Sequence, residues 1–386
     1  MIGVCIKYFH ENYGGMLQAY ATVSFLEKVG VDYELIRYEK RYTPIAVVKA
    51  LPRLLNGVLL NDKYEAFRKK LGKRMHRQFD ACEAIRIDAF RRFKDTHFLK
   101  LSPVFTGYDA LCLGAEKYDA VITGSDQLWS PAGLPTNFYN LAFVPDDIRK
   151  ISIASSFGVS DVPWYQRNRT RRYLNRIEYV SMREERGAQI VKELTGREVP
   201  TILDPVFLFD QEGWQYLIPV REEIGEPYIF AYFLGDNPEH RKAVQEAADA
   251  LNCKIVTLRH LDQYITDDEN FGDFCPYDVG PDRFLNILRG AAYVCTDSFH
   301  GACFSVIHRK QFVVFDRYHT EFRLAKNSRI DTLCNSLNLT GRRFTNTIPL
   351  GCILREPVDY DSVYCRLDLL RKDTNCYLQE ALARIN

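Results

Sequence analysis

The sequence lacks a surplus of either charge: 51 basic and 50 acidic side chains leave +1 over 386 residues. That balance excludes a dedicated nucleic-acid binder, which needs a basic excess to neutralise phosphates. Long apolar runs are also missing. The longest, Tyr228–Gly235, is eight residues, against the roughly 20 that a membrane span requires. The apolar opening Ile2–Ile6 is cut short by Lys7 and His10, so no secretory signal is expected. Eleven cysteines form no C-x-x-C pair, and the eight histidines form no H-E-x-x-H pattern. Neither a disulfide framework nor a metal site fits. Buried reduced thiols in a soluble, cytoplasmic protein do, with Cys5, Cys295 and Cys303 inside apolar runs.

Aromatic residues, by contrast, are plentiful. With 23 Tyr and 24 Phe the chain has large surfaces to bury, and at roughly 150 residues per domain its length suggests two cores. Apolar runs at Ile2–Tyr8 and Val31–Arg37 flank a helical stretch, Met16–Val29, preceded by a tight turn at Gly14-Gly15. This is a βαβ opening, and it implies a parallel sheet with functional loops at the C-terminal ends of its strands. The α/β alternation resumes at Tyr118–Thr123 and runs to Thr201–Leu203, then restarts at Tyr228–Leu234 after a punctuated boundary between Phe209 and Pro227. The expected architecture is α/β: two Rossmann-like domains, 1–215 and 216–386, with a cleft between them. The second carries a C-terminal helical tail. Segment 43–100 breaks the rhythm; between Asn61 and Lys100 there are twelve Lys/Arg and six Asp/Glu. It reads as a basic helical insertion, either solvated or touching anionic lipid.

Four strand ends carry the candidate chemistry. Thr296-Asp297-Ser298-Phe299-His300-Gly301 lies between a strand and a helix, where free N–H groups and the helix dipole favour an anion. There Ser298 can cap the helix, Gly301 permits close approach, and His300 can donate a proton. In Gly124–Trp129, Asp126 is placed to deprotonate a sugar hydroxyl and Trp129 to stack on a sugar face. Arg183 ends a third strand, and Arg323 and Arg329 follow a fourth, as cations for a carboxylate or phosphate. Arg167, Arg169, Arg171, Arg172 and Arg176 crowd one helix, by default a solvated basic face that could share a lipid-phosphate surface. Asn12-Tyr13-Gly14-Gly15 lacks G-x-G-x-x-G spacing and does not support a dinucleotide site.

In order along the chain, NYGGMLQAY (12–20), GSDQLW (124–129), SIASSFG (152–158), SMREE (181–185), LDPV (203–206), TDSFHG (296–301) and SRIDTL (328–333) resemble the polysaccharide pyruvyl transferase family. The resemblance runs from about residue 3 to 343. It implies two Rossmann-like domains similar to GT-B glycosyltransferases, with phosphoenolpyruvate as donor substrate and no cofactor or metal. The implied product is a pyruvate ketal on a sugar or lipid-linked oligosaccharide of a capsule, exopolysaccharide or cell-wall polymer. His300 becomes the candidate acid, Asp126 the acceptor-side base, and Arg183, Arg329, Arg323, Ser298 and Gly301 the donor-binding set. Trp129 and Asn12 fall on the acceptor side, and peripheral contact with the inner face of the plasma membrane is expected. A nucleotide-sugar glycosyltransferase on the same architecture and a catalytically silent assembly partner are the rival readings.

Overall fold

The computed structural model describes residues 1–41, 78–131, 136–260, 263–317 and 328–383. Short apolar runs joined by helices mark strands buried on both faces, and nine of them form two all-parallel sheets among these residues. In the first, β1 (Ile2–Cys5), β2 (Tyr33–Glu39), β3 (Leu101–Thr106), β4 (Ala120–Thr123) and β5 (Arg149–Ser152) take the order β3-β2-β1-β4-β5. In the second, β6 (Tyr228–Tyr232), β7 (Lys254–Thr257), β8 (Tyr293–Thr296) and β9 (Gln311–Val314) take the order β7-β6-β8-β9. Beyond β5 the chain adds single bridges, Ile151 to Tyr179 and Met182 to Thr201, which bring the ends of those two short segments to the same rim.

Several elements differ from the sequence reading. The first helix is Tyr13–Lys28, three residues earlier than the apolar density indicates, because Asn12 caps it by accepting from Gly15 N. Gly14 and Gly15 therefore form its first turn rather than a tight turn before it. β3 and the helix Tyr108–Ala115 fall where no alternation was legible. β3 is a largely exposed edge strand containing Pro103, and edges are where proline is tolerated. Of the basic insertion, 43–77 lies outside the described residues, and Gln78–His97 is a helix. That helix reaches the second half of the chain: Arg86 donates to the carbonyls of Arg259 and Pro276.

The halves are joined by apolar contact and by a helix that crosses back. The Tyr13 ring stacks on Phe284, centroids 4.5 Å apart, and its hydroxyl donates to Val279 O at 2.9 Å. The terminal helix Tyr360–Leu382 begins on the second half, where the Tyr364 hydroxyl donates to Ile307 O. It ends on the first, where Arg371 donates to Phe207 O and Tyr377 to Ser152 O. All eleven cysteines are unpaired, and Cys5, Cys295 and Cys303 are buried. Among the described residues no helix is long and apolar enough to cross a membrane.

Candidate active site

Strand ends from both sheets converge between the halves. The helix Phe299–Ile307 follows β8, and Ser298 caps it by accepting from Gly301 N at 3.3 Å. This cap sets Phe299 and His300 in the first turn, facing the first domain. The His300 ring lies against Gly14: a β-carbon there would fall 2.2 Å from His300 Nδ1. Only glycine leaves that space, so the NYGG segment seats the histidine of the other half.

His300 Nε2 faces Asp204 Oδ2 at 3.4 Å, within ion-pair range but outside hydrogen-bond geometry. The same oxygen accepts from Arg183 Nη1 at 2.8 Å and from the Ser125 hydroxyl at 2.8 Å. Burial alone would push the Asp204 carboxyl up; His300 and Arg183 outweigh it and hold the group well below the usual carboxylate range. Asp126 sits nearby with φ of +73°, a conformation that L residues seldom adopt and that clusters at functional sites. It faces Lys7 Nζ at 3.8 Å and Arg183 Nη2 at 3.9 Å. Burial raises its pKa, but Lys7, Arg183 and His300 together keep it below the usual range, hence ionised.

The guanidinium groups of Arg183 and Arg329 lie 4.7 and 5.7 Å from the centroid of the Phe299 ring. Burial, and then the charge of Arg183, push Arg329 down to about 10. Among the described residues, Arg183 Nε and Nη2 and Arg329 Nε are buried without hydrogen-bond partners. Buried guanidinium N–H groups without partners are costly, and an anion placed between them would remove that cost. A cavity of about 170 Å³ adjoins the pair, lined from the first half by Arg183, Asp204 and Phe207 and from the second by Phe299, Arg329 and Leu333. Glu184 underlies this cluster. Its Oε1 accepts from the Ser156 hydroxyl and Phe157 N, and burial keeps its pKa raised against the opposing pull of Arg183 and Arg329. A larger cavity, about 370 Å³, lies elsewhere, between the helices Gln78–His97 and Pro281–Gly290, and contains none of the sequence-predicted site residues.

The structure thus brings His300, Asp126, Arg183 and Arg329 together and places the other described candidates as follows. Trp129 is fully buried against Phe157 and Tyr173, its Nε1 donating to Tyr139 O; it fills core and presents no face to a sugar. Gly301 packs against Thr296, whose Oγ1 would lie 2.6 Å from an added β-carbon, so the side on which it lacks a side chain faces the strand end. The Ser298 and Asn12 side chains are engaged as helix caps. Arg323 lies outside the described residues. The sequence reading missed Asp204, Ser125, Lys7, Phe299 and the space at Gly14. Asp204 was legible only as a residue of LDPV that caps a short turn, accepting from Val206 N. Its position between Arg183 and His300 depends on the meeting of the two halves.

Two parallel-sheet α/β domains with a composite site between them define a GT-B-like protein. The likeness extends to solved structures. A UDP-N-acetylglucosamine 2-epimerase superposes with a TM-score of 0.52 at 12% identity, over 99% of this chain and 94% of that one. The Rickettsia bellii UDP-N-acetylglucosamine 2-epimerase gives 0.50 at 10% identity, over 100% and 96%. At such identities the likeness concerns the fold alone. The family is shown separately: the polysaccharide pyruvyl transferase model matches residues 12–319, and the chain belongs to that family of transferases. A search of curated proteins returned no match.

Proposed function

We propose that the protein transfers the enolpyruvyl group of phosphoenolpyruvate to two hydroxyls of a sugar, forming a pyruvate ketal and releasing phosphate. The observation that carries this reading is the pair of buried, incompletely bonded guanidinium groups over Phe299, beside the Asp204–His300 pair. The donor bears a carboxylate and a phosphate, and planar guanidinium forks bind both bidentately. In this reading His300, facing Asp204, delivers a proton to the methylene carbon, and positive charge develops at C2. A sugar hydroxyl attacks C2 while its proton passes to the Asp126 carboxylate. The C2–O bond to phosphate then breaks with its electron pair on the phosphate, which takes the proton held by Asp126, and a second hydroxyl closes the ketal as its proton returns to the His300 imidazole. Arg183 and Arg329 stabilise the carboxylate and the departing phosphate throughout. The acceptor is a saccharide of a capsule, exopolysaccharide or cell-wall polymer under assembly.

Ligand-dependent unfolding tests the donor. Phosphoenolpyruvate at 100 times its dissociation constant should add roughly 2.7 kcal/mol of stability, and Arg329→Gln should abolish most of that gain. Stabilisation by UDP-sugars with none by phosphoenolpyruvate would overturn the reading.

A further inference from the structure

The chain has three tryptophans. Trp129 and Trp214 are completely buried, whereas Trp164 is 84% exposed and the adjoining Tyr165 45%. Their rings meet edge to face, centroids 5.7 Å apart. Both open the helix Trp164–Arg176, whose outward residues include Asn168, Arg169, Arg171, Arg172 and Asn175. The helix contains five arginines and no acidic residue. Its inward side, Gln166, Thr170, Tyr173 and Leu174, is buried, so packing already accounts for one face and leaves the aromatic pair unused. An amphipathic indole beside a phenol, on a basic surface at a helix N-terminus, matches the boundary between lipid headgroups and acyl chains. Arg167 and Arg176 are paired with Asp161 and Asp146, and the exposed Arg169, Arg171 and Arg172 match its negative phosphates.

Position strengthens the case. The first turn of the helix is tied to the loop after β4, Gln166 donating to Pro131 O at 3.1 Å, five residues beyond Asp126. The aromatic pair therefore stands on the turn that adjoins the loop carrying Asp126.

We propose that the outward face of Trp164–Arg176 docks on an anionic lipid bilayer, with Trp164 and Tyr165 entering the headgroup layer and the arginines contacting lipid phosphates. This attachment stands independently of the donor chemistry; if the ketal reading also holds, a lipid-linked acceptor would be presented beside the site. The test uses the full chain and vesicles of phosphatidylcholine alone or with phosphatidylglycerol, at low and high salt. Sedimentation with the phosphatidylglycerol vesicles at low salt, with a blue shift of tryptophan emission, is expected. Trp164→Ser/Tyr165→Ser should remove both signals at an unchanged unfolding midpoint. At about 1 kcal/mol per basic residue near an anionic surface, Arg169→Ser/Arg172→Ser should weaken binding about thirtyfold. Wild-type protein left in the supernatant would overturn the proposal. So would a serine pair that sediments like the wild type, which would move the contact to another surface, or an emission shift with soluble anionic polysaccharide and none with vesicles. Phosphoenolpyruvate-dependent stabilisation, measured on the same samples, reports separately on the ketal reading.

Discussion

Among the described residues two buried Arg–Asp–His clusters occur, and they differ in how completely the guanidinium is bonded. In the second half, Asp268 Oδ1 accepts from Arg241 Nε and Nη2, at 2.8 and 2.6 Å, and Asp268 Oδ2 lies 2.8 Å from His260 Nδ1. Arg241 also donates to the carbonyls of Asn237 and Gly235. Every guanidinium nitrogen of Arg241 is engaged, and the cluster ties the loop after β7 to the helix Pro238–Leu251. Between the halves, Arg183 donates from Nη1 alone, and His300 meets Asp204 outside hydrogen-bond geometry. The same residue types thus build, in one place, a staple whose guanidinium is fully engaged and in which, among the described residues, His260 Nε2 lacks a partner, and in the other an open cluster whose guanidinium is itself incompletely bonded. A buried guanidinium left incompletely bonded is what distinguishes the candidate site from the structural brace.

The largest expected effect is on turnover. His300→Gln should lower the rate of phosphate release from phosphoenolpyruvate by roughly 10²–10⁴ while leaving the unfolding midpoint near that of the wild type, since general acid–base roles are worth that much. If the midpoint falls by many degrees and the remaining folded protein turns over normally, the open cluster is a brace like its counterpart.

Next comes the seat of His300. Gly14→Ala would place a β-carbon within the His300 ring, and overpacking of this kind costs about 1–3 kcal/mol. Denaturant unfolding should register that loss and kinetics a reduced rate. A variant as stable and as active as the wild type would separate the NYGG segment from the site.

The smallest effect on turnover belongs to the Arg241–Asp268–His260 staple. Burial pushes the Asp268 carboxyl up, but His260 and Arg241 hold it down to about 2, from an ordinary 3.8. A carboxylate held down stabilises the fold above the unfolded pKa and loses that contribution as pH falls through the folded one. The difference corresponds to roughly 2 kcal/mol, complete above about pH 4 and fading toward pH 2. Asp268→Asn should therefore lower stability by about that amount at pH 7, flatten the acid limb between pH 4 and 2, and leave turnover at pH 7 unchanged. An unaltered acid limb would show that Asp268 does not supply this stability.

Local pattern reaches as far as local forces do. The strand-and-helix alternation, the restart at Tyr228, and the Ser298 cap could be read from the sequence because apolar periodicity and capping act within a few residues. For the same reason Arg183, Arg329, His300 and Asp126 were nameable as residues at strand ends. What each of them touches was not legible. Gly14 and His300 lie 286 positions apart, as do Asp204 and its histidine by 96, and only the meeting of two sheets brings such pairs together. The tertiary structure likewise decided that Trp129 fills core while Trp164 stands in solvent, since both follow strands and open turns or helices and no local signal separates them. Burial, the quantity that makes an incompletely bonded guanidinium significant, depends on every neighbour at once.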